Sequence, residues 1–220
     1  MSPPFLTGDV NKMEIRRCPW SESHSMLTSY HDMEWGVPVQ DDRKMFEFLL
    51  LESFQAGLSW LTVLKKRDNF REAFMGFDPE KVSAFGEGDI QRLLLDRGII
   101  RNRQKISAAI SNARAFLALR EKEEKFASWL WGFVDGEPLR NSWKSENEIP
   151  AETELSKKIS KELRSRGFSF VGPVVVYSHM QATGLVNDHL VDCFRYEELS
   201  PCNSRSSSKE RSSTPAMDSM

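Results

Sequence analysis

Apolar residues recur at helical spacing along most of the chain. The period predicts helices over residues 42–56, 87–96, 101–120, 126–134, 153–166 and 173–184. Asp41 or Asp42 can cap the first of these helices, Gly167 can end the fifth, and Pro173 suits the first turn of the last. The valine run at residues 174–176 is a strand signal too isolated to build a sheet. We therefore expect an all-α fold with at most one small irregular segment.

The two ends of the chain lack this period. Residues 1–15 predict a flexible N-terminal arm. Residues 201–220 are rich in Ser and charge, contain no aromatic residue, and predict a disordered tail. Residues 16–200 are then expected to form a single helical domain, long enough to enclose a core.

Composition narrows the function. A formal net charge of -2 over 220 residues means that any contact with nucleic acid must come from a local basic patch. Three cysteines are few and odd in number, which argues against a disulfide framework and for a reducing compartment. With no long apolar run and no signal-peptide core, we expect no membrane association and a cytosolic or nuclear protein.

Scarce metal-ligand residues cluster near both ends of the predicted domain. His189 and Cys193 are four residues apart, which on a helix places both on one face. Cys18 and His31 supply the same two types near the start, and a Cys₂His₂ set suits tetrahedral zinc. The alternative is that the histidines are ordinary polar residues and the cysteines fill core space. Competing ligands are Cys202, His24 and His179.

A carboxylate lies inside the most apolar predicted helix. Glu52 shares a stripe with Met45 and Phe48, where burying it is costly unless it is paired or used. Large aromatic residues come before and after it in sequence: Trp20, Tyr30, Trp35 and Trp60. An anion among aromatic rings suits a flat, cationic or amine-bearing ring. The alternative is that the helix opens to solvent at Glu52 and the tryptophans are core.

The stretch "RSRGFSFVGPVVVYS" predicts a helix, a tight turn and a second helix. Gly167 and Gly172 bracket the turn, whose N–H groups can hold a phosphate together with the following helix N-terminus. The preceding helix is rich in Lys and Arg, which is also typical of an ordinary solvated face. With the two glycines, the stretch favours a clamp on the DNA backbone.

Several stretches together identify a family. "RCPW", "YHDMEWGVP", "QAGLSWLTVLKKR", "GIIRNRQKI", "GFSFVG" and "YSHMQATGLVNDH", followed by Cys193, resemble DNA-3-methyladenine glycosylase I over about residues 16–197. The resemblance implies a helix-hairpin-helix glycosylase fold with a zinc site that joins the two ends of the domain. The implied zinc ligands are Cys18, His31, His189 and Cys193.

The resemblance also implies roles for the pocket residues. Glu52 would act in the base pocket, with Tyr30 and Trp60 as its walls and Trp20 and Trp35 around them. Gly57 and Leu58 would occupy the gap that an extruded base leaves in DNA. Leu27 departs from the family, which often has Tyr at this position. Other helix-hairpin-helix glycosylases use an Asp to stabilise the oxocarbenium-like sugar. The resemblance suggests that the corresponding stretch, residues 186–188, lacks that function, and Asp188 is predicted to cap a helix carrying His189.

The implied activity is hydrolysis of the N-glycosidic bond of 3-methyladenine in alkylated duplex DNA, without strand cleavage, by a monomer with one structural zinc ion. It would act in the cytoplasm near the nucleoid of a bacterium, or in the nucleus of a eukaryote. A zinc-stabilised DNA-binding module without catalysis is the alternative. A metal-dependent hydrolase is disfavoured because four protein ligands leave zinc no open position for water.

Overall fold

The computed structural model describes residues 15–123 and 125–200. Residues 1–14 and 201–220 lie outside the described residues. These ranges include the predicted tail, Cys202 and almost all of the predicted arm. The α-helices are α1 (Ser25–Met33), α2 (Asp42–Gln55), α3 (Trp60–Leu64), α4 (Arg67–Ala73), α5 (Pro79–Ser83), α6 (Glu87–Leu95), α7 (Arg103–Glu123), α8 (Phe126–Trp131), α9 (Glu154–Ser165), α10 (Pro173–Ala182) and α11 (Phe194–Glu198). Short 3₁₀ turns lie at Pro19–Ser23, Met75–Phe77, Gly132–Val134 and Glu146–Glu148.

The mostly helical prediction is confirmed. The six helices expected from periodicity are present, with ends shifted by no more than about three residues. Asp41 is the N-cap of α2, and its side chain accepts a hydrogen bond from the Lys44 N–H at 2.8 Å. Gly167 follows α9 and Pro173 opens α10. Five shorter helices escaped the sequence pattern: α1, α3, α4, α5 and α11.

One small sheet interrupts the helical architecture. β1 (Leu139–Arg140) pairs in parallel with β2 (Val186–Asn187), two residues each. The valines at 174–176 lie in α10 instead of a strand, as expected. No helix in the described ranges is long and apolar enough to cross a bilayer.

Helix α2 runs through the middle of the core. Every residue from Met45 to Phe54 is buried, so this helix is enclosed on all sides. Its aromatic residues pack against other helices: the rings of Phe46 and Phe116 are 5.0 Å apart, and those of Phe54 and Phe70 are 4.7 Å apart. Because this part of α2 is enclosed, its polar side chains, those of Glu47, Glu52 and Ser53, lie in the interior.

The predicted helical placement of His189 and Cys193 is wrong. The chain from 188 to 193 is an irregular turn, and Cys193 is the N-cap of α11. Asp188 caps no helix at His189. Its buried carboxylate instead accepts hydrogen bonds from Asn141, Trp143, Tyr177 and Gln181. These four donors hold the backbone after β2 in a non-helical path, and the turn still points both ligand side chains the same way.

Candidate functional site

Glu52 reaches a cavity from the C-terminal part of α2. The side chain is only 4% exposed, and its Oε2 atom has no hydrogen-bond partner. The cavity holds about 400 Å³. Its lining residues are Trp20, Tyr30, Trp35, Glu52, Gln55, Trp60, Glu146, Ile149, Ser178 and Gln181. Glu52 is therefore a buried residue in the wall of this cavity, which rules out the alternative of a helix face open to bulk water.

Aromatic rings form a continuous wall around this carboxyl group. The ring centroids of Tyr30 and Trp60 are 5.3 Å apart, those of Trp20 and Tyr30 are 6.3 Å apart, and those of Trp20 and Trp35 are 5.1 Å apart. The buried indole Nε1 of Trp60 also lacks a hydrogen-bond partner. A buried acceptor and a buried donor without partners are costly. Both residues line the cavity, where hydrogen bonds to a polar ligand would satisfy these atoms.

The electrostatics of the cavity follow from its burial. Burial raises the pKa of Glu52 to about 8, because no hydrogen bond or cation offsets the lost hydration. Burial also raises the pKa of Tyr30, with a smaller contribution from the charge of Glu52. A cationic ring entering the cavity would supply the positive charge that Glu52 lacks.

The sequence pattern missed the polar half of the cavity. Gln181 and Ser178 lie on α10 and line the cavity together with Glu52 of α2. The Gln181 amide donates to Asp188 Oδ2 at 2.7 Å, which fixes its orientation. Glu146 accepts a hydrogen bond from the Trp20 backbone N–H. Nothing in the sequence distinguishes these residues from other polar positions, and only the fold brings them together at the cavity.

The four predicted metal ligands meet at one point. Cys18, His31, His189 and Cys193 are all buried, and their ligand atoms lie within 4.8 Å of one another. Cys193 Sγ is 3.4 Å from His31 Nε2 and 3.5 Å from His189 Nδ1, and Cys18 Sγ is 3.7 Å from His189 Nδ1. Metal–ligand bonds of about 2.0–2.3 Å give tetrahedral edges of about 3.5 Å. The donor set and its spacing therefore fit a tetrahedral metal ion.

Outer contacts orient the two imidazoles. His31 Nδ1 lies 2.8 Å from Asp32 Oδ1, and His189 Nε2 lies 3.1 Å from the Trp35 carbonyl oxygen. Such bonds fix the ring that presents its other nitrogen to a metal. The contact between the two thiols lowers the pKa of Cys193 and raises that of Cys18, which favours one thiolate in the pair.

The competing histidine ligands are occupied elsewhere. His24 Nδ1 accepts the Met26 N–H at the start of α1, and His179 Nε2 bonds the Met45 carbonyl oxygen. Cys202 lies outside the described residues. Leu27, the position at which the sequence departs from the family, is a buried residue of α1.

The two turns predicted to contact DNA lie after α2 and between α9 and α10. Leu58, in the turn after α2, is 42% exposed, and Gly57 beside it has a φ of 82°. The segment 166–172 joins α9 to α10, with Gly172 as the N-cap of α10. Ser53 Oγ lies 3.1 Å from the Phe170 carbonyl oxygen, so the second turn is attached to α2 one residue after Glu52.

The helical arrangement has close counterparts among solved structures. A crystal structure of 3-methyladenine DNA glycosylase I is 52% identical, covers 81% of this chain and 98% of its own, and superposes with a TM-score of 0.80. A second, from a study of 3-methyladenine recognition by the Staphylococcus aureus enzyme, is 36% identical with the same TM-score, covering 83% of this chain and 97% of its own. DNA-3-methyladenine glycosylase 1 of Escherichia coli (strain K12) is 49% identical over 187 residues, which is 85% of this chain and 100% of that protein.

Fold, cavity and relatives together define a DNA glycosylase, an enzyme that hydrolyses N-glycosyl bonds. The profile of the methyladenine glycosylase family matches residues 20–196. The chain belongs to that family.

Proposed function

We propose that this enzyme excises 3-methyladenine from alkylated duplex DNA, leaving an abasic site. The observation that carries the proposal is the unpaired, buried carboxyl group of Glu52 inside an aromatic cavity. 3-Methyladenine in DNA is a flat ring with positive charge and an amino edge. The names of the relatives support the same substrate.

Selectivity follows from a difference of binding energies. Extruding a base costs a few kcal/mol, less for a damaged one. Stacking on Tyr30 and Trp60 returns about 1–3 kcal/mol, and a cationic ring gains about 2 kcal/mol more over aromatic faces. Only a charged base also gains the attraction of Glu52. A neutral adenine therefore stays in the helix.

The chemical step needs little acid catalysis. A cationic base is already a good leaving group, so the residues of the cavity chiefly extract and orient it. Glu52 accepts hydrogen bonds from the amino edge and holds the cationic ring, while water attacks the sugar. Among the described lining residues of the cavity none is lysine, so we propose a monofunctional enzyme without strand-cleaving activity.

DNA engagement rests on two turns. We assign α9, the turn 166–172 and α10 as a helix-hairpin-helix motif in which Gly167 and Gly172 allow the backbone to approach phosphate. Gly57 and Leu58 fill the space that the extruded base vacates. We propose that residues 16–200 act as one domain and as a monomer, at chromosomal DNA in the cytoplasm of a bacterium or the nucleus of a eukaryote.

The metal site is proposed to hold one structural zinc ion on Cys18, His31, His189 and Cys193. Two sulfur and two nitrogen donors at tetrahedral spacing select zinc over harder cations. When bound, zinc supplies a cross-link between the first and last parts of the domain. With four protein ligands, no position remains for a catalytic water.

The test is the chromatographic identification of bases freed from methylated duplex DNA. We expect the wild-type chain to release 3-methyladenine, Glu52→Gln to lose at least tenfold in rate, and the exposed control Glu121→Gln to match the wild type. Binding of the duplex without release of any base would overturn the proposal in favour of a DNA-binding module. An unchanged rate in Glu52→Gln would remove the carboxylate from the mechanism.

A further inference from the structure

A buried lysine lies beneath the turn that follows α2. Lys105, on α7, is only 8% exposed. Its Nζ donates to the carbonyl oxygens of Phe54 at 2.8 Å and Ala56 at 2.6 Å. Burial lowers the pKa of this ammonium, so its position is maintained against a desolvation cost. A buried cation that donates hydrogen bonds to two backbone carbonyls indicates that the positions of these carbonyls are important.

These carbonyls belong to a helix end and a tight turn. The last carbonyls of a helix have no intrahelical donor, and a cation near them is favoured by the helix dipole. Residues 55–58 form a type II turn: Ala56 has φ -44° and ψ 115°, Gly57 has φ 82°, and the Leu58 N–H donates to the Gln55 carbonyl at 2.6 Å.

The lysine selects one orientation of the central peptide. Type I and type II turns differ by a flip of the peptide between their two central residues. In the observed turn the Ala56 carbonyl oxygen points to Lys105 Nζ. A flip would break that hydrogen bond and leave the ammonium with one carbonyl fewer. Lys105 therefore stabilises the type II form.

This turn connects both sides of the proposed base site. Glu52 lies three residues before it, and Ser59, directly after it, caps α3 at Trp60 by accepting the Thr62 N–H at 3.3 Å. The turn also presents the exposed side chain of Leu58. A change in the turn would move Leu58 relative to the cavity without removing any cavity residue.

We propose that Lys105 is a positioning residue for base extrusion, which holds the turn 55–58 so that Leu58 can occupy the gap in duplex DNA. The inference rests on the proposed function, in particular on the role of Leu58. Lys105 itself touches neither base nor sugar in this role. Its contribution belongs to the duplex reaction and not to recognition of the free base.

The test compares Lys105→Met, Leu58→Ala and the double variant. Excision from methylated duplex DNA gives kcat and KM, and quenching of tryptophan fluorescence by free 3-methyladenine reports the cavity alone. For Lys105→Met we expect a fall in kcat of about tenfold with KM and free-base affinity within about threefold of the wild type. The double variant should be no slower than the slower single variant, because both substitutions disable one device.

Two further variants control for folding. Lys66→Met removes a lysine that likewise donates to two carbonyls, of Arg97 and Gly98, and should leave duplex excision unchanged. Lys105→Arg keeps the positive charge and the hydrogen-bond donors, so its kcat should lie close to that of the wild type. This variant tests the proposal even if Lys105→Met does not fold.

The results separate the two proposals. Four results would each overturn the role of Lys105. They are a joint fall of free-base affinity and duplex excision in Lys105→Met, additive losses of kcat in the double variant, no loss of kcat in Lys105→Met, and no recovery of kcat in Lys105→Arg. If Leu58→Ala excises from duplex as fast as the wild type, the proposed role of Leu58 fails and the inference falls with it. A wild-type chain that frees no 3-methyladenine refutes the proposed function itself.

Discussion

The carbonyl oxygen of Trp35 lies 3.1 Å from Nε2 of His189, and the indole ring lies 4.5 Å from that imidazole. Trp35 lines the cavity, whereas His189 belongs to the Cys/His set. Trp20 makes the matching link, with its ring 5.5 Å from that of His31. Part of the aromatic wall therefore rests on the Cys/His cluster, while the carboxyl group comes from α2.

Loss of a ligand is expected to damage both stability and the cavity. Cys193→Ser should lose the zinc ion proposed for this site and weaken binding of free 3-methyladenine, because Trp20 and Trp35 lose their support. A structural zinc contributes on the order of 10 kcal/mol of binding free energy, so the unfolding midpoint should fall steeply. Elemental analysis and thermal unfolding measure the two effects.

Glu52→Gln is the control for the metal experiment. It should keep the proposed zinc ion, since Glu52 is not a member of the Cys/His set. A Cys193→Ser protein that keeps full metal content and full stability would show that the four side chains are not a metal site.

The stability of the enzyme should depend on the protonation of Glu52. Its pKa is raised by burial to about 8, well above the value in an unfolded chain. The folded state then binds the proton more tightly, so the stability is fully present below about pH 4.5 and is lost as the pH rises through 8. The loss amounts to roughly 3–5 kcal/mol.

Glu52→Gln removes this dependence. Urea unfolding at pH 5 and pH 9 should show that the variant gains on the wild type by that amount between the two conditions. Other titrating groups cancel in the difference because they are common to both proteins. Parallel stability curves for the two proteins would mean that Glu52 is solvated or paired.

The features of the fold and site that depend on local sequence signals could be predicted from the sequence. Asp41, Gly167 and Pro173 mark helix ends through chemistry that needs no tertiary partner, and the structure has the helix boundaries there. The four Cys and His residues could likewise be identified from the sequence as candidate metal ligands. Their local conformation was not, because the spacing of His189 and Cys193 suits a turn as well as a helix.

The missed features depend on long-range contacts. Gln181 faces the cavity because Asp188 holds its amide, and Asp188 is buried because donors arrive from residues 141 and 143 across the small sheet. Lys105 lies 49 residues beyond the Ala56 carbonyl that it binds. No periodicity or composition links such positions.

Two glycines should respond differently to alanine. Gly57 has φ 82°, but an added Cβ would meet nothing within 4 Å, so Gly57→Ala should cost about 1 kcal/mol from backbone strain alone. At Gly184, with φ 75°, a Cβ would lie 2.6 Å from the Pro38 nitrogen and 2.7 Å from the Gly36 oxygen. Gly184→Ala should therefore cost upwards of about 3 kcal/mol.

Chemical denaturation of both variants measures the difference directly. The discriminating quantity is the gap between them, since both residues carry a positive φ and only one is crowded. Equal losses would show that the backbone around residues 36–38 moves away at little cost, contrary to the close packing seen here.

Asp188→Asn is expected to damage the fold and the cavity together. The carboxylate is only 1% exposed and accepts four hydrogen bonds, two on each oxygen. Asparagine replaces one acceptor oxygen with an NH₂ group that faces donors, at a cost of about 2–4 kcal/mol in unfolding free energy. Gln181 loses the acceptor that fixes its amide if the NH₂ group lies on its side. Free-base affinity should then fall about tenfold, which corresponds to the loss of roughly one hydrogen bond.

The matched control is Asp192→Asn, four residues further along the chain. Asp192 is half exposed and pairs with the exposed Arg16, so its loss should change stability by less than about 1 kcal/mol and leave the cavity intact. Urea unfolding and fluorescence quenching by 3-methyladenine report the two quantities for both variants. If Asp188→Asn loses stability but keeps full affinity, Gln181 does not depend on Asp188 for its orientation toward the base. If Asp188→Asn matches Asp192→Asn in both, the four donors are satisfied equally well by an amide oxygen and solvent, and the network does not support the cavity.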